Sequence, residues 1–265
     1  MSSRTFHAAL VRELSPRLAE GEVTFLARTT VDIERAQAQH VAYVEALRKQ
    51  GLEIVRAPAL PEHPDGVFVE DAVVVVGYLA ILTRAGAASR RGEAASLSPV
   101  LEGRGLDVVA LSSPATLDGG DVLQVEDTIF VGRTTRTNDA GIEQLRAFVA
   151  PLGRTVVPVD VEAALHLKTA ATALPDGRIL ANLDAVSSAA FGNRDVRGVD
   201  EAAGANVLLV GDRLLLSASA PRTAAALRRE GYHVQTVDLS ELEKVEAGPT
   251  CPSVLLPERR SRVVA

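Results

Sequence analysis

The sequence predicts a single α/β domain spanning residues 1–265, built as a five-bladed, pseudo-symmetric α/β propeller of ββαβ repeats. Three observations predict it. Two short apolar runs, not one, precede each helix-competent stretch. The unit returns every ~40 to 50 residues, the spacing of propeller-like arrays. The pieces left at the two ends make one further copy, which closes the ring. A doubly wound sheet would place one helix after each strand, and Gly119-Gly120 lacks the spacing of a dinucleotide loop.

Taken in order, Ala8 to Arg12 opens the shared blade, followed by a helix from about Asp32 to Gln50 and the strand Leu52 to Val55. Val73 to Val76 and Ala80 to Thr83 flank a Gly77 turn; a helix-permissive stretch from Gly92 to Glu102 leads to the strand Leu106 to Leu111. Val122 to Val125 and Thr128 to Gly132 precede an amphipathic helix whose apolar face is Ile142, Leu145, Phe148 and Val149, with Asn138 or Asp139 as its cap, then the strand Arg154 to Val159. A looser copy runs from Thr169 through Arg178-Ile179-Leu180 and the segment Asp184 to Phe191. The next has Asn206 to Val210, Arg213 to Leu216, a helix from Pro221 to Glu230 stopped by Gly231, and His233 to Val237. Cys251 to Leu256 returns the chain to its first blade.

Composition narrows the function. The chain is 47% hydrophobic, enough for a large core, and its net charge of -6 comes without any block of Lys or Arg, which argues against nucleic acid or an anionic membrane as partner. Small cationic substrates fit this balance. Met1 to His7 lacks an apolar signal segment, and no apolar run reaches the ~18 residues that cross a bilayer, so a soluble cytoplasmic protein is expected, monomer or homodimer. One cysteine excludes an internal disulfide, and its spacing from the scattered histidines matches no zinc motif, so neither metal nor cofactor is expected.

A lone thiol is usually packing. Here Cys251 follows a Gly248-Pro249 turn, and a ring brings such positions to a common axis. Asp65, Glu70 and Asp71 lead into the first inner strand, Asp118 and Asp121 into the second, His166 precedes the third and Cys251 opens the last. Polar clusters at one phase of a repeat can complete a thiolate–imidazole–carboxylate site.

The residues Pro64-Asp65-Gly66-Val67-Phe68-Val69-Glu70-Asp71, Thr83 to Arg91, Thr116-Leu117-Asp118-Gly119-Gly120-Asp121, Arg136-Thr137-Asn138, Leu165-His166-Leu167-Lys168 and Thr250-Cys251 resemble those of the dimethylarginine dimethylaminohydrolases, in that family's order and close to its spacing. The family belongs to the guanidino-group-modifying enzymes of the five-bladed pentein fold. The resemblance implies Cys251 as nucleophile, His166 as general acid and base, and Asp118 as the carboxylate that orients the imidazole. It implies a guanidinium cradle at Asp71 with Glu70 and Phe68 beside it, Arg90 and Arg136 on the substrate carboxylate, and Asp65 on its ammonium group. Val23 stands at a lid position and Val245 at a further backbone contact. Glu246 replaces an aspartate beside the guanidinium, where its extra methylene would narrow the methyl-binding side. Pro252 removes a backbone N–H next to the nucleophile. The implied activity is hydrolysis of Nω-methylated arginine to citrulline and an alkylamine through a covalent thiouronium. A deiminase of free arginine and a non-catalytic propeller are the alternatives; the first of these resembles longer chains with an inserted helical domain, and the second has no use for Cys251, His166 and Asp118 together.

Overall fold

The computed structural model describes residues 6–260. The chain starts in β1 (Ala8–Val11), crosses through α1 (Ile33–Lys49) and returns in β2 (Glu53–Arg56), parallel to β1 from Ala8 opposite Glu53 to Val11 opposite Arg56. Helix α1 begins at Ile33 because Asp32 is extended and its carboxylate accepts the Arg35 N–H at 3.0 Å. A one-turn helix α2 (Val69–Ala72) delivers the chain into β3 (Val73–Val76), which pairs antiparallel with β4 (Leu79–Leu82); α3 (Ser98–Gly103) then leads to β5 (Asp107–Ala110), parallel to β4.

The unit repeats as β6 (Val122–Val125), β7 (Thr128–Arg133), α4 (Asp139–Val149) and β8 (Thr155–Asp160). Asn138 caps α4 through the Gly141 N–H at 2.8 Å, and Ile142, Leu145 and Val149 are buried against Ile129 and Val131 of the sheet. Each such side chain removed from water stabilises by about 1.5–3 kcal/mol. Phe148, expected on the same face, is only partly buried at its edge.

The next blade departs from expectation. After α5 (Leu167–Ala170), β9 (Ala171–Ala173) and β10 (Ile179–Ala181), the segment from Asp184 to Phe191 holds a short 3-10 turn at Ser188–Phe191, and the outer strand β11 lies beyond it at Val196–Gly198. Val196-Arg197-Gly198 has one apolar side chain and no period to betray a strand. The following blade is regular: β12 (Val207–Val210), β13 (Arg213–Ser217), α6 (Pro221–Arg229) and β14 (His233–Val237), with Gly231 at φ 93° ending the helical stretch. A further single turn, α7 (Ser240–Glu243), precedes β15 (Ser253–Leu256), which closes the ring antiparallel to β1, Val11 opposite Ser253. Strand β15 starts two residues after Cys251, not at it; Pro252 has no N–H for the ladder, so Cys251 sits in a turn.

Among the described residues the result is five three-stranded sheets, each with one strand inward, one central and one outward. The inner strands β3, β6, β9, β12 and β15 all run from one face of the ring to the other, so Asp71, Gly120, Thr169, Ala205 and Cys251 each lie two residues ahead of an inner strand. This shared register places the candidate chemistry at one mouth of the axis. From the opposite mouth a cavity of about 490 Å³ runs inward between Val75, Gln124, Ala173, Leu209 and Leu255, as far as Glu70 and Lys168. No helix among the described residues is long and apolar enough to cross a membrane.

Candidate active site

The Gly248–Cys251 turn is closed by the Cys251 N–H on the Gly248 carbonyl at 3.2 Å, and the Gly248 N–H in turn donates to the Cys251 Sγ at 3.3 Å. A backbone donor to sulfur therefore comes from the residue three before the thiol, on the side that Pro252 does not affect. Asn206 holds the turn through the Thr250 N–H at 3.0 Å. His166 is extended just before α5, and its buried ring meets Asp118 Oδ2 at 3.1 Å through Nε2. Asp118 Oδ1 accepts the Gly86 N–H at 2.9 Å. That leaves His166 Nδ1 on the side of Asp71, 3.7 Å from Oδ1. A Cβ at Gly120 would lie 2.6 Å from His166 Nδ1 and 2.7 Å from Asp71 Oδ1, so only glycine lets ring and carboxylate approach here.

A narrow cavity of about 20 Å³ brings Cys251 and His166 together with Asp65, Phe68, Asp71, Arg90, Arg136, Val245 and Glu246, all named from sequence. Glu22, Leu165 and Ala247 line it as well; sequence reasoning passed over them, although Leu165 and Ala247 neighbour chosen residues. The larger cavity on the other face contains none of Cys251, His166 and Asp118. Glu70 borders that second cavity: Lys168 Nζ donates to it at 2.6 Å and Thr250 Oγ1 at 2.7 Å, forming a floor between the two spaces. Val23 packs partly buried on the core cluster around α1.

The two arginines differ in their attachments. Arg90 is buried and donates to Asp71 Oδ2 at 2.7 Å, to both oxygens of Glu93 and to the carbonyls of Asp65 and Phe68. Residues expected at opposite ends of a substrate thus form one ion pair. Arg136 Nη2 donates to Thr24 Oγ1 at 3.1 Å.

Charge in this cluster follows from burial. Burial opposes a proton on His166, yet the charge of Asp71 and the hydrogen bond that the ring donates to Asp118 outweigh it, raising its pKa to about 9. Burial, then the negative charges of Glu70 and Asp71, push the Cys251 thiol far up. Burial also acts against the Asp71 carboxylate, but His166 and Arg90 overcome it and hold its pKa low. Burial raises Glu70 and Asp65. The unliganded site at neutral pH therefore holds a thiol, an imidazolium and an ionised Asp71. Asp71, Asp118 and His166 bring donor atoms within 4.8 Å of one another, but Asp71 and Asp118 are already taken up by Gly120, Arg90, Gly86 and the imidazole, which suits an imidazolium and not a metal.

The stretch 22–26 covers this cavity. Asp65 accepts the Glu22 N–H at 3.1 Å, and the Glu246 carboxylate accepts the N–H groups of Thr24 at 3.0 Å, Phe25, and Leu26 at 2.6 Å. Glu246 makes these bonds from a left-handed backbone, φ 63°. Glu246 thus lines the cavity while its carboxylate serves the covering loop. Glu246→Ala should speed hydrogen exchange at the amides of Thr24 to Leu26 at least about tenfold, the loss of roughly one charge-assisted bond. Unchanged exchange would separate Glu246 from the loop.

A family model described as "N,N dimethylarginine dimethylhydrolase, eukaryotic" matches residues 25–189. An N(G),N(G)-dimethylarginine dimethylaminohydrolase of Streptomyces coelicolor is 48% identical over 94% of this chain and 97% of its own. That of Pseudomonas aeruginosa is 34% identical over 84% of this chain and 89% of its own. A solved structure of the Pseudomonas aeruginosa enzyme, a cysteine-to-serine mutant complexed with citrulline, superposes with a TM-score of 0.89 at 32% identity, covering 95% of this chain and all of that one. The chain thus belongs to the dimethylarginine dimethylaminohydrolase family of the pentein fold, hydrolases of carbon–nitrogen bonds in linear amidines.

Proposed function

We propose that this protein hydrolyses Nω-methylated arginine to citrulline and an alkylamine through a covalent intermediate on Cys251. The observation that carries the reading is one covered cavity in which Cys251 and the Asp118-bound imidazolium of His166 meet Asp71, with Arg136 also on its wall. The name shared by the Streptomyces and Pseudomonas relatives supports the substrate class.

The resting thiol is held protonated by its burial, and then by the negative charge of Glu70 and Asp71 around it. A bound guanidinium supplies the opposite charge at that place, so the thiol releases its proton to solvent as the cation enters. The thiolate attacks the guanidinium carbon and a C–S bond forms. Nδ1 of His166, on the Asp71 side, donates its proton to the methylated nitrogen; the C–N bond breaks and the amine leaves over a thiouronium. Neutral His166 then takes a proton from water, the hydroxide adds to carbon, and the C–S bond breaks. The proton of the new urea group returns to sulfur. Asp118 keeps Nε2 protonated throughout and the ring correctly turned.

Recognition divides accordingly. Asp71, fixed by Arg90 and the Gly120 N–H, receives the guanidinium N–H groups, with Phe68 and the Val245 and Glu246 segment on the sides of the cavity. Glu70, tied to Lys168, contributes charge from the floor. Arg136 holds the substrate carboxylate and Asp65 the ammonium group. Because Arg90 is spent on Asp71 and Glu93, its share is to hold Asp71 in place, and the carboxylate contact rests mainly on Arg136. Val23 acts through the covering stretch.

The test is incubation with dimethylarginine, monomethylarginine and arginine, following citrulline and amine; release from arginine alone would replace this reading with a deiminase. Arg136→Ala should cost an amino-acid substrate roughly 1.5–3 kcal/mol in kcat/KM while sparing an alkylguanidine that has no carboxylate. Asp71→Asn should impair both alike. Equal losses on the two substrates in Arg136→Ala would end the assignment of Arg136 to the carboxylate.

A further inference from the structure

We propose that Asp121 is a positioning residue that locks the two halves of the acid–base pair, Asp118 and His166, and the backbone of Arg136 into one frame. This goes beyond the roles given above and rests on the acid–base role proposed for His166.

Asp121 is fully buried and does not line the cavity. Its Oδ1 accepts the N–H of Leu167, the residue next to His166, at 2.9 Å. Its Oδ2 accepts the hydroxyls of Thr137 at 2.6 Å and Thr134 at 2.7 Å. Both hydroxyls pass the contact on. Thr137 Oγ1 accepts the Asp118 N–H at 3.2 Å, and Thr134 Oγ1 accepts the Arg136 N–H at 3.1 Å. One carboxylate therefore reaches Asp118 and Arg136 through unbroken hydrogen bonds and His166 through its neighbour Leu167, tying its own segment to two others. An asparagine could accept at one end only; with its oxygen on the Leu167 N–H, its NH₂ would have to donate to the two hydroxyls, whose own protons would then lose their acceptor.

The carboxylate also acts through its charge. Burial lifts Asp121 to about 6, still below the value near 9 of His166, so Asp121 is an anion wherever His166 titrates. The groups facing His166 are Asp71 at the end of α2, Asp118 and Asp121 beside the following turn, and Cys251 across the cavity; Arg90 and Lys168 act on it through Asp71. Asp121 is thus one of three anions that keep the imidazole protonated.

The experiment is an NMR titration of His166 in the free protein, assigned by comparison with His166→Asn, together with pH profiles of kcat/KM. Asp121→Asn should lower the His166 midpoint by about one unit and move the alkaline limb of the profile with it. Thr137→Val should lower kcat with little change in KM, whereas Thr137→Ser, which keeps the hydroxyl, should match the parent. A folded Asp121→Asn protein with an unmoved His166 midpoint overturns the proposal. Should that variant fail to fold, the threonine pair decides: equal kcat in Thr137→Val and Thr137→Ser overturns it too. Failure of the underlying reading looks different, because His166→Asn would then retain turnover whatever Asp121 does.

Discussion

Cys251→Ser is expected to lose turnover by about 10⁴-fold or more, the scale on which removal of a nucleophile acts. The reason is electrostatic as well as chemical. The thiol starts from a site where burial, Glu70 and Asp71 all resist an anion, and only the arriving cation reverses this balance. A serine hydroxyl starts from a far higher pKa, and the same cation cannot make it an alkoxide. The side chain is about 8% exposed and the oxygen is smaller than sulfur, so the fold and the Gly248 N–H contact should persist. Citrulline formation is the measurement, with a thermal melt as the control for folding. Turnover within tenfold of the parent would remove Cys251 from the mechanism.

His166→Ala is expected to be nearly as severe, with a different signature. Leaving-group protonation and water activation both need the imidazole, so turnover should stop, but an activated substrate with a good leaving group should still be attacked by Cys251, lose that group and leave a thiouronium adduct visible by mass spectrometry. An adduct that hydrolyses at the parent's rate would show that His166 is not the base. The pH dependence follows from the sign of the shift. His166 rises from 6.5 to about 9 on folding, so the acid form is present through neutrality, and kcat/KM should fall as the pH climbs through about 9. Stability follows the same sign: the contribution of the imidazolium is complete below 6.5 and is lost through about 9. Melting temperatures of the parent should therefore decline across that window, and those of His166→Ala should decline less.

The legible part of this protein was its pattern. Val73 to Val76 and Val207 to Val210 read as strands because β-branched and other apolar residues run unbroken in short stretches, Val122 to Val125 does so with Gln124 as its one polar residue, and the paired runs before each helix distinguish a ring from a layered sheet. Asn138 and Pro221 marked helix starts through local hydrogen bonding and fixed φ, effects that act within a few residues. The site residues stand in recognisable motifs, and the common register of Asp71, Gly120 and Cys251 ahead of their strands explains why residues so distant in sequence share a mouth.

Other features were not encoded locally. The one-turn helices α2, α5 and α7 span four residues each, too few to show a period, and β11 has a single apolar residue. Whether Arg90 would meet a substrate or Asp71, and whether Glu246 would face a guanidinium or the N–H groups of Thr24 to Leu26, depended on which segments the ring brought alongside. The charge states of Cys251 and His166 lay furthest from the sequence. Residue type sets the starting pKa, whereas desolvation and the neighbouring carboxylates, Glu70 and Asp71 for the thiol and Asp71, Asp118 and Asp121 for the imidazole, set the final one, and these surroundings exist only after the chain has closed around its axis.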